Sequence, residues 1–141
     1  MTRKTLLIIS LVTSLLVILF AASYASKDTS APAITNTTTS SKFFAKSDCS
    51  PTSLTITADI KDGTEVKSAT VWYRVGVDQK FTSTNMKHES NDLYTVMIIG
   101  LDIPGGEYGV LEFYVVAKDE AGNQSQSPVD ASVQLLPCVA H

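Results

Sequence analysis

The sequence predicts an all-β protein, an antiparallel β-sandwich of about seven strands preceded by an N-terminal hydrophobic helix. Three observations carry this. Leu111, Phe113, Val115 and Ala117 alternate with Glu112, Tyr114, Val116 and Lys118, a period of two that puts one set on each face of a strand. The run ends at Asp119-Glu120-Ala121-Gly122-Asn123, residues that accept turn geometry, and a second run follows with Val129, Ala131, Val133 and Leu135 in phase. Similar short runs recur between turn signals, and no helical period appears after residue 25.

The elements follow in order. Arg3 and Lys4 precede an apolar run from Leu6 to Ala22, and Ser23 and Ala25 are small residues at the two positions a signal peptidase reads. Residues 1–25 are expected to be a signal peptide cut between Ala25 and Ser26, or an uncleaved membrane anchor touching lipid through residues 6–23. No Cys ends the apolar run, which tells against a lipid-modified N-terminus. Residues 26–41 (SKDTSAPAITNTTTSS) lack an apolar period and read as a Ser/Thr-rich disordered linker, in which Ile34 offers a start for a short edge strand.

The folded domain is expected over residues 42–138. Lys42 to Ala45 forms its first strand. Leu54, Ile56, Ala58 and Ile60 share one face of the next, and Lys61-Asp62-Gly63-Thr64 turns the chain. In Val66 to Val75, the set Ala69, Val71, Tyr73 and Val75 faces away from Thr70, Trp72 and Arg74. Phe81 to Met86 is a weaker strand, Lys87 to Asp92 a polar turn, and Leu93 to Ile99 a strand with Tyr94, Val96 and Ile98 in phase. Pro104-Gly105-Gly106 loops back to the strand that starts at Leu111.

Composition sets further limits. The chain has 141 residues and a formal charge of -3, so there is one domain and no basic field for nucleic acid. Cys49 and Cys138 are an even pair in an exported chain and are expected to form a disulfide.

The segments CSP before LTITADIKD, VKSATVWYRV, Leu93-Tyr94-Thr95-Val96, FYVVAKDEAGNQSQSP and the late Cys138 together resemble the immunoglobulin-like, fibronectin type III-like modules of exported bacterial proteins. The resemblance covers about residues 43 to 138, and Tyr114 to Asn123 is its most specific piece. It implies a spacer, an adhesive unit or a carbohydrate-contacting accessory. Such modules usually sit inside much larger chains. Here the module stands alone behind the export segment, which tells against a pure spacer.

Candidate sites follow from strand phase. If Val71, Tyr73, Phe113 and Val115 face inward, Trp72 and Tyr114 face outward on neighbouring strands, with Arg74, Glu112, Lys118 and Gln134 around them. Aromatic rings with polar neighbours suit a glycan or protein contact. The alternative is that a loop or the Ser/Thr-rich segment covers Trp72. Asp119, Glu120 and Asn123 offer oxygen ligands that Asp62 or Asp92 could complete for calcium, but no run has calcium-loop spacing and a self-capping turn is the favoured reading; no metal site is assigned. His88 and His141 lack metal-ligand spacing. No nucleophile elbow or paired carboxylates mark a catalytic set, and no cofactor is implied. Asn36-Thr37-Thr38 and Asn123-Gln124-Ser125 match the glycosylation acceptor pattern, relevant only in a host that glycosylates it.

The sequence therefore predicts a non-catalytic, extracytoplasmic module, secreted or membrane-anchored, that binds a protein partner in adhesion at the cell surface. The alternatives are a carbohydrate-binding module using Trp72 and Tyr114 and, third, a small hydrolase.

Overall fold

The computed structural model describes residues 28–46, 49–105 and 108–138. The proposed signal or anchor, its cleavage point at Ala25 and Ser26, and His141 lie outside these residues. Ten strands form two sheets: β1 (Ala33–Thr39), β2 (Phe43–Ala45), β3 (Ser53–Lys61), β4 (Val66–Val75), β5 (Thr82–Asn85), β6 (Lys87–Ser90), β7 (Leu93–Ile99), β8 (Gly109–Asp119), β9 (Gln124–Gln126) and β10 (Asp130–Leu136). The first sheet has the order β1-β3-β7-β6. The second has the order β2-β10-β8-β4-β5, with β9 also paired to β8.

The core lies between the sheets and is built by the expected alternation. Leu54, Ile56, Ala58 and Ile60 of β3 are buried, as are Ala69, Val71, Tyr73 and Val75 of β4 and Leu111, Phe113, Val115 and Ala117 of β8. Tyr94 and Ile98 of β7 are buried, with Val96 packed partly against the same cluster. These four strands sit inside their sheets, each paired on both sides. Only their inward residues leave water entirely, so hydropathy marks them clearly.

The structure departs from the sequence reading in three places. Residues 33–39 lie in the expected disordered linker but form edge strand β1 around Ile34, the position offered for a short edge strand; β1 pairs antiparallel with β3 and places Ile34 opposite Ile60. One partly buried apolar side chain and a ladder with β3 suffice there, and neither leaves a period in the sequence. Lys87–Ser90, expected to be a turn, is β6, paired to β7. Every one of its residues is exposed, so it has no apolar face to detect. The third departure follows the Asp119 turn, where Gln124–Gln126 forms a separate strand, β9, ahead of the expected run, which is β10. Val133 and Leu135 are buried, but Val129 is 53% exposed and Ala131 is exposed too. At the break, Ser127 accepts the Val115 amide hydrogen on its Oγ at 2.9 Å and donates its own amide to the Val115 carbonyl. Pro128 follows and has no amide hydrogen to give a ladder. Together with these three segments, the expected seven strands become ten.

Two strand pairs change sheet. The chain leaves the first sheet after β1 and enters the second at β2, which pairs parallel to β10. It makes the reverse passage at Met86, between β5 and β6, where the Met86 amide donates to the Ala69 carbonyl. Each side of the sandwich is thereby bridged by continuous chain. Short edge strands of this kind limit unwanted edge pairing.

Cys49 and Cys138 are bonded to each other, with Cα atoms 5.6 Å apart. The bond ties the β2–β3 connection to the chain just beyond β10. Such a bond suggests an oxidising environment outside the cytoplasm. Among the described residues, no helix is long and apolar enough to cross a membrane.

Candidate functional site

The outer face of the second sheet gathers the residues singled out by strand phase. In the β4–β8 register, Trp72 is opposite Tyr114 and Arg74 is opposite Glu112. Their sequence neighbours Tyr73 and Phe113 are buried, so these four side chains point the other way. The Trp72 and Tyr114 rings are nearly parallel, at 6°, with centroids 6.4 Å apart. Both residues are half-buried. Lys118 and Gln134 are exposed on the same face, as expected.

A third ring joins them. Phe81, just before β5, meets Tyr114 edge-on, with centroids 5.1 Å apart and planes at 64°. Sequence reasoning missed it because Phe81 follows a polar loop and belongs to no alternating run. An aromatic residue isolated after Asp78-Gln79-Lys80 was the one available signal. Away from the aromatic cluster, Phe43, Gln134 and Val110 form a row across β2, β10 and β8, with Phe43 47% exposed and Val110 38%.

Arg74 and Glu112 do not offer free charges. Arg74 donates from Nε and Nη2 to one Glu112 oxygen at 2.7 and 2.6 Å. Its Nη1 donates to the Val77 and Gln79 carbonyls at 3.0 and 3.3 Å. The guanidinium carbon sits 4.5 Å from the Phe81 ring centroid, a cation–π arrangement. The pair thereby steadies Phe81 and the loop before it against the aromatic cluster.

A second cluster lies at one end of the sandwich. Oxygens of Asp28, Asp62 and Asp119 all lie within 4.8 Å of one another. Asp62 comes from the β3–β4 turn and Asp119 from the end of β8. Asp28 precedes β1, which is why the sequence could not bring it in. These three carboxylates are the described residues that could hold a hard cation such as calcium. Glu120 and Asp92, also considered from sequence, pair instead with Lys67 at 3.1 Å and Lys61 at 3.3 Å.

Asp119 itself behaves as a turn cap. It is fully buried, and Asn123 donates to it from its backbone and side-chain nitrogens, both at 2.7 Å. Burial works to raise its pKa. Hydrogen bonds from the Asn123 side chain and from the backbone amides of Asn123, Gly122 and Ala121 outweigh burial and hold the carboxyl below its ordinary value. The Thr64 hydroxyl lies 2.9 Å from Asp28 and 2.8 Å from Asp62. The Asn123 amide also reaches the Asp28 and Ser30 carbonyls, so this turn pins the segment entering β1.

His88 stacks on Tyr94 with centroids 4.7 Å apart, and its Nε2 lies 2.5 Å from the Asn91 carbonyl. The amides of Asn36 and Asn123, the two acceptor-pattern asparagines, are both hydrogen-bonded to other groups.

Fold and face together define a class: a disulfide-closed, two-layer β-sandwich with an aromatic cluster on the outside of its larger sheet. The sequence matches no protein-family model and no curated protein.

Proposed function

We propose that the protein is an exported, non-catalytic immunoglobulin-like, fibronectin type III-like module that binds a protein partner in adhesion at the cell surface. It is either released by cleavage after Ala25 or held by residues 6–23. The immunoglobulin-like assignment is supported by sheet order. β1-β3-β7-β6 and β5-β4-β8-β10 repeat the A-B-E-D and C′-C-F-G arrangement of that fold. Export is supported by the apolar N-terminal segment and the disulfide.

The observation that carries the binding reading is the cluster of Trp72, Tyr114 and Phe81, half-buried on a sheet face and steadied by Arg74. Large rings held in place lose little entropy on contact and supply much of the energy at interfaces. A second reading, glycan binding, is favoured by the near-parallel Trp72 and Tyr114 rings beside a neutral hydrogen-bonding side chain, Ser83, which stands opposite Trp72. Wild type and Trp72→Ala, each checked for an unchanged unfolding midpoint, are passed over immobilised envelope proteins and over a glycan array. Loss of protein capture in the variant supports the first reading, and loss of glycan retention supports the second. Equal binding by both proteins removes the aromatic face from either.

A further inference from the structure

The loop between β4 and β5 lies against the aromatic face, and little holds it there. Residues 76–80 are all exposed, Val77 at 70%. Gly76 adopts φ 84°, a conformation that suits glycine and lets the chain leave β4. The loop's own backbone ties are Gly76 to the Val110 carbonyl at 3.3 Å and Gln79 to Gly76 at 3.2 Å. The remaining hydrogen bonds converge on Arg74, which binds the Val77 and Gln79 carbonyls and lies over Phe81, while the Gln79 side chain packs close to Gly105. Segments that bury no apolar side chain open locally at low free energy.

Glu112 sets the geometry of this hub. By taking Nε and Nη2 on one oxygen, it fixes the guanidinium so that Nη1 meets the loop carbonyls and the central carbon sits over the Phe81 ring. The side chains of Arg74 and Glu112 are 24% and 21% exposed, so water screens their attraction only in part. Phe81 in turn rests on Tyr114.

We infer that residues 76–81 form a strap latched by the Arg74–Glu112 ion pair, which partly covers Tyr114 and governs how much of the aromatic face a partner can reach. This rests on reading that face as the binding surface. Release of the latch frees the two carbonyls and Phe81 together, and Tyr114 becomes accessible.

The test compares wild type, Glu112→Gln and Phe81→Leu by amide hydrogen exchange and by nitration of Tyr114 relative to the exposed Tyr108 in the same molecule. In Glu112→Gln, the hydrogen-bonded loop amides of Gly76 and Gln79 are expected to exchange about tenfold faster, as loss of a charged hydrogen-bond partner implies, with Tyr114 nitration rising. Amides in the centres of β4 and β8 keep their rates. In Phe81→Leu the loop amides keep their rates while Tyr114 nitration rises, because the latch is intact and only the cover is cut back. Unchanged loop exchange in Glu112→Gln overturns the strap. So does an equal acceleration in the core strands, which means global loosening. Neither readout needs a partner, so the strap can fail while Trp72→Ala still abolishes binding, and the reverse.

Discussion

Arg74 and Glu112 stand opposite each other on β4 and β8, and a single Glu112 oxygen takes both Nε and Nη2 of the guanidinium. The pair is mostly shielded from water. Removing one member leaves the other half-buried and uncompensated.

Arg74→Ala is therefore expected to destabilise the protein by about 2 kcal/mol, since it strands the Glu112 carboxylate and frees two loop carbonyls. Urea unfolding measures this as a lower midpoint at constant slope. A midpoint equal to wild type means the pair contributes nothing net.

The Cys49–Cys138 bond closes a separation of 89 residues. Loop entropy alone gives a stabilisation of about 4.6 kcal/mol, which is an upper bound if the reduced chain keeps some structure. The double substitution to Ser is expected to lower the unfolding midpoint toward that limit. Adding reductant to the wild type under unfolding conditions is expected to give the same midpoint as the double variant.

Gly100 lies just beyond β7, and a Cβ placed there meets the Ala45 carbonyl. The obstacle is backbone, which cannot swing aside. Gly100→Ala is expected to cost about 1–3 kcal/mol, as overpacking does. Gly63→Ala is the control, because no atom lies within 4 Å of its added Cβ. Equal midpoints for the two variants contradict the close approach of β2.

Asp119 gives a pH dependence of known sign. Its folded pKa is depressed, so its contribution is present in full above the ordinary aspartate value of about 3.9 and is lost as pH falls through the lower folded value. Asp28 and Asp62 are the titratable neighbours. The stability gap between wild type and Asp119→Asn, measured by urea unfolding, is expected to be constant from pH 7 to pH 5 and to narrow near pH 3. A gap that widens on acidification reverses the sign and rejects the turn-cap account.

The buried faces of β3, β4, β7 and β8 were legible because strand geometry imposes a period of two and each of these strands packs one face in the core. Leu54 through Ile60 and Leu111 through Ala117 show that rule directly. Once the phase of β4 and β8 was set, the outward direction of Trp72 and Tyr114 followed, and so did their meeting across the pair. The cysteine count already pointed to the disulfide.

The sequence by itself thus determined a two-layer β fold, its inward residues and the ring pair on the outer face, because those follow from local periodicity. Only the tertiary structure decided what sits at edges and ends. β1 and β6 are held by backbone ladders to a neighbour, which leave no side-chain pattern. Phe81 reaches Tyr114, and Asp28 reaches Asp62 and Asp119, through chain crossings that bring distant residues together. Arg74 and Glu112 were placed on the right surface by their phase. Only three-dimensional packing showed that their charges are spent on each other and on the loop, because hydrogen-bond partners far apart in sequence are set by the fold.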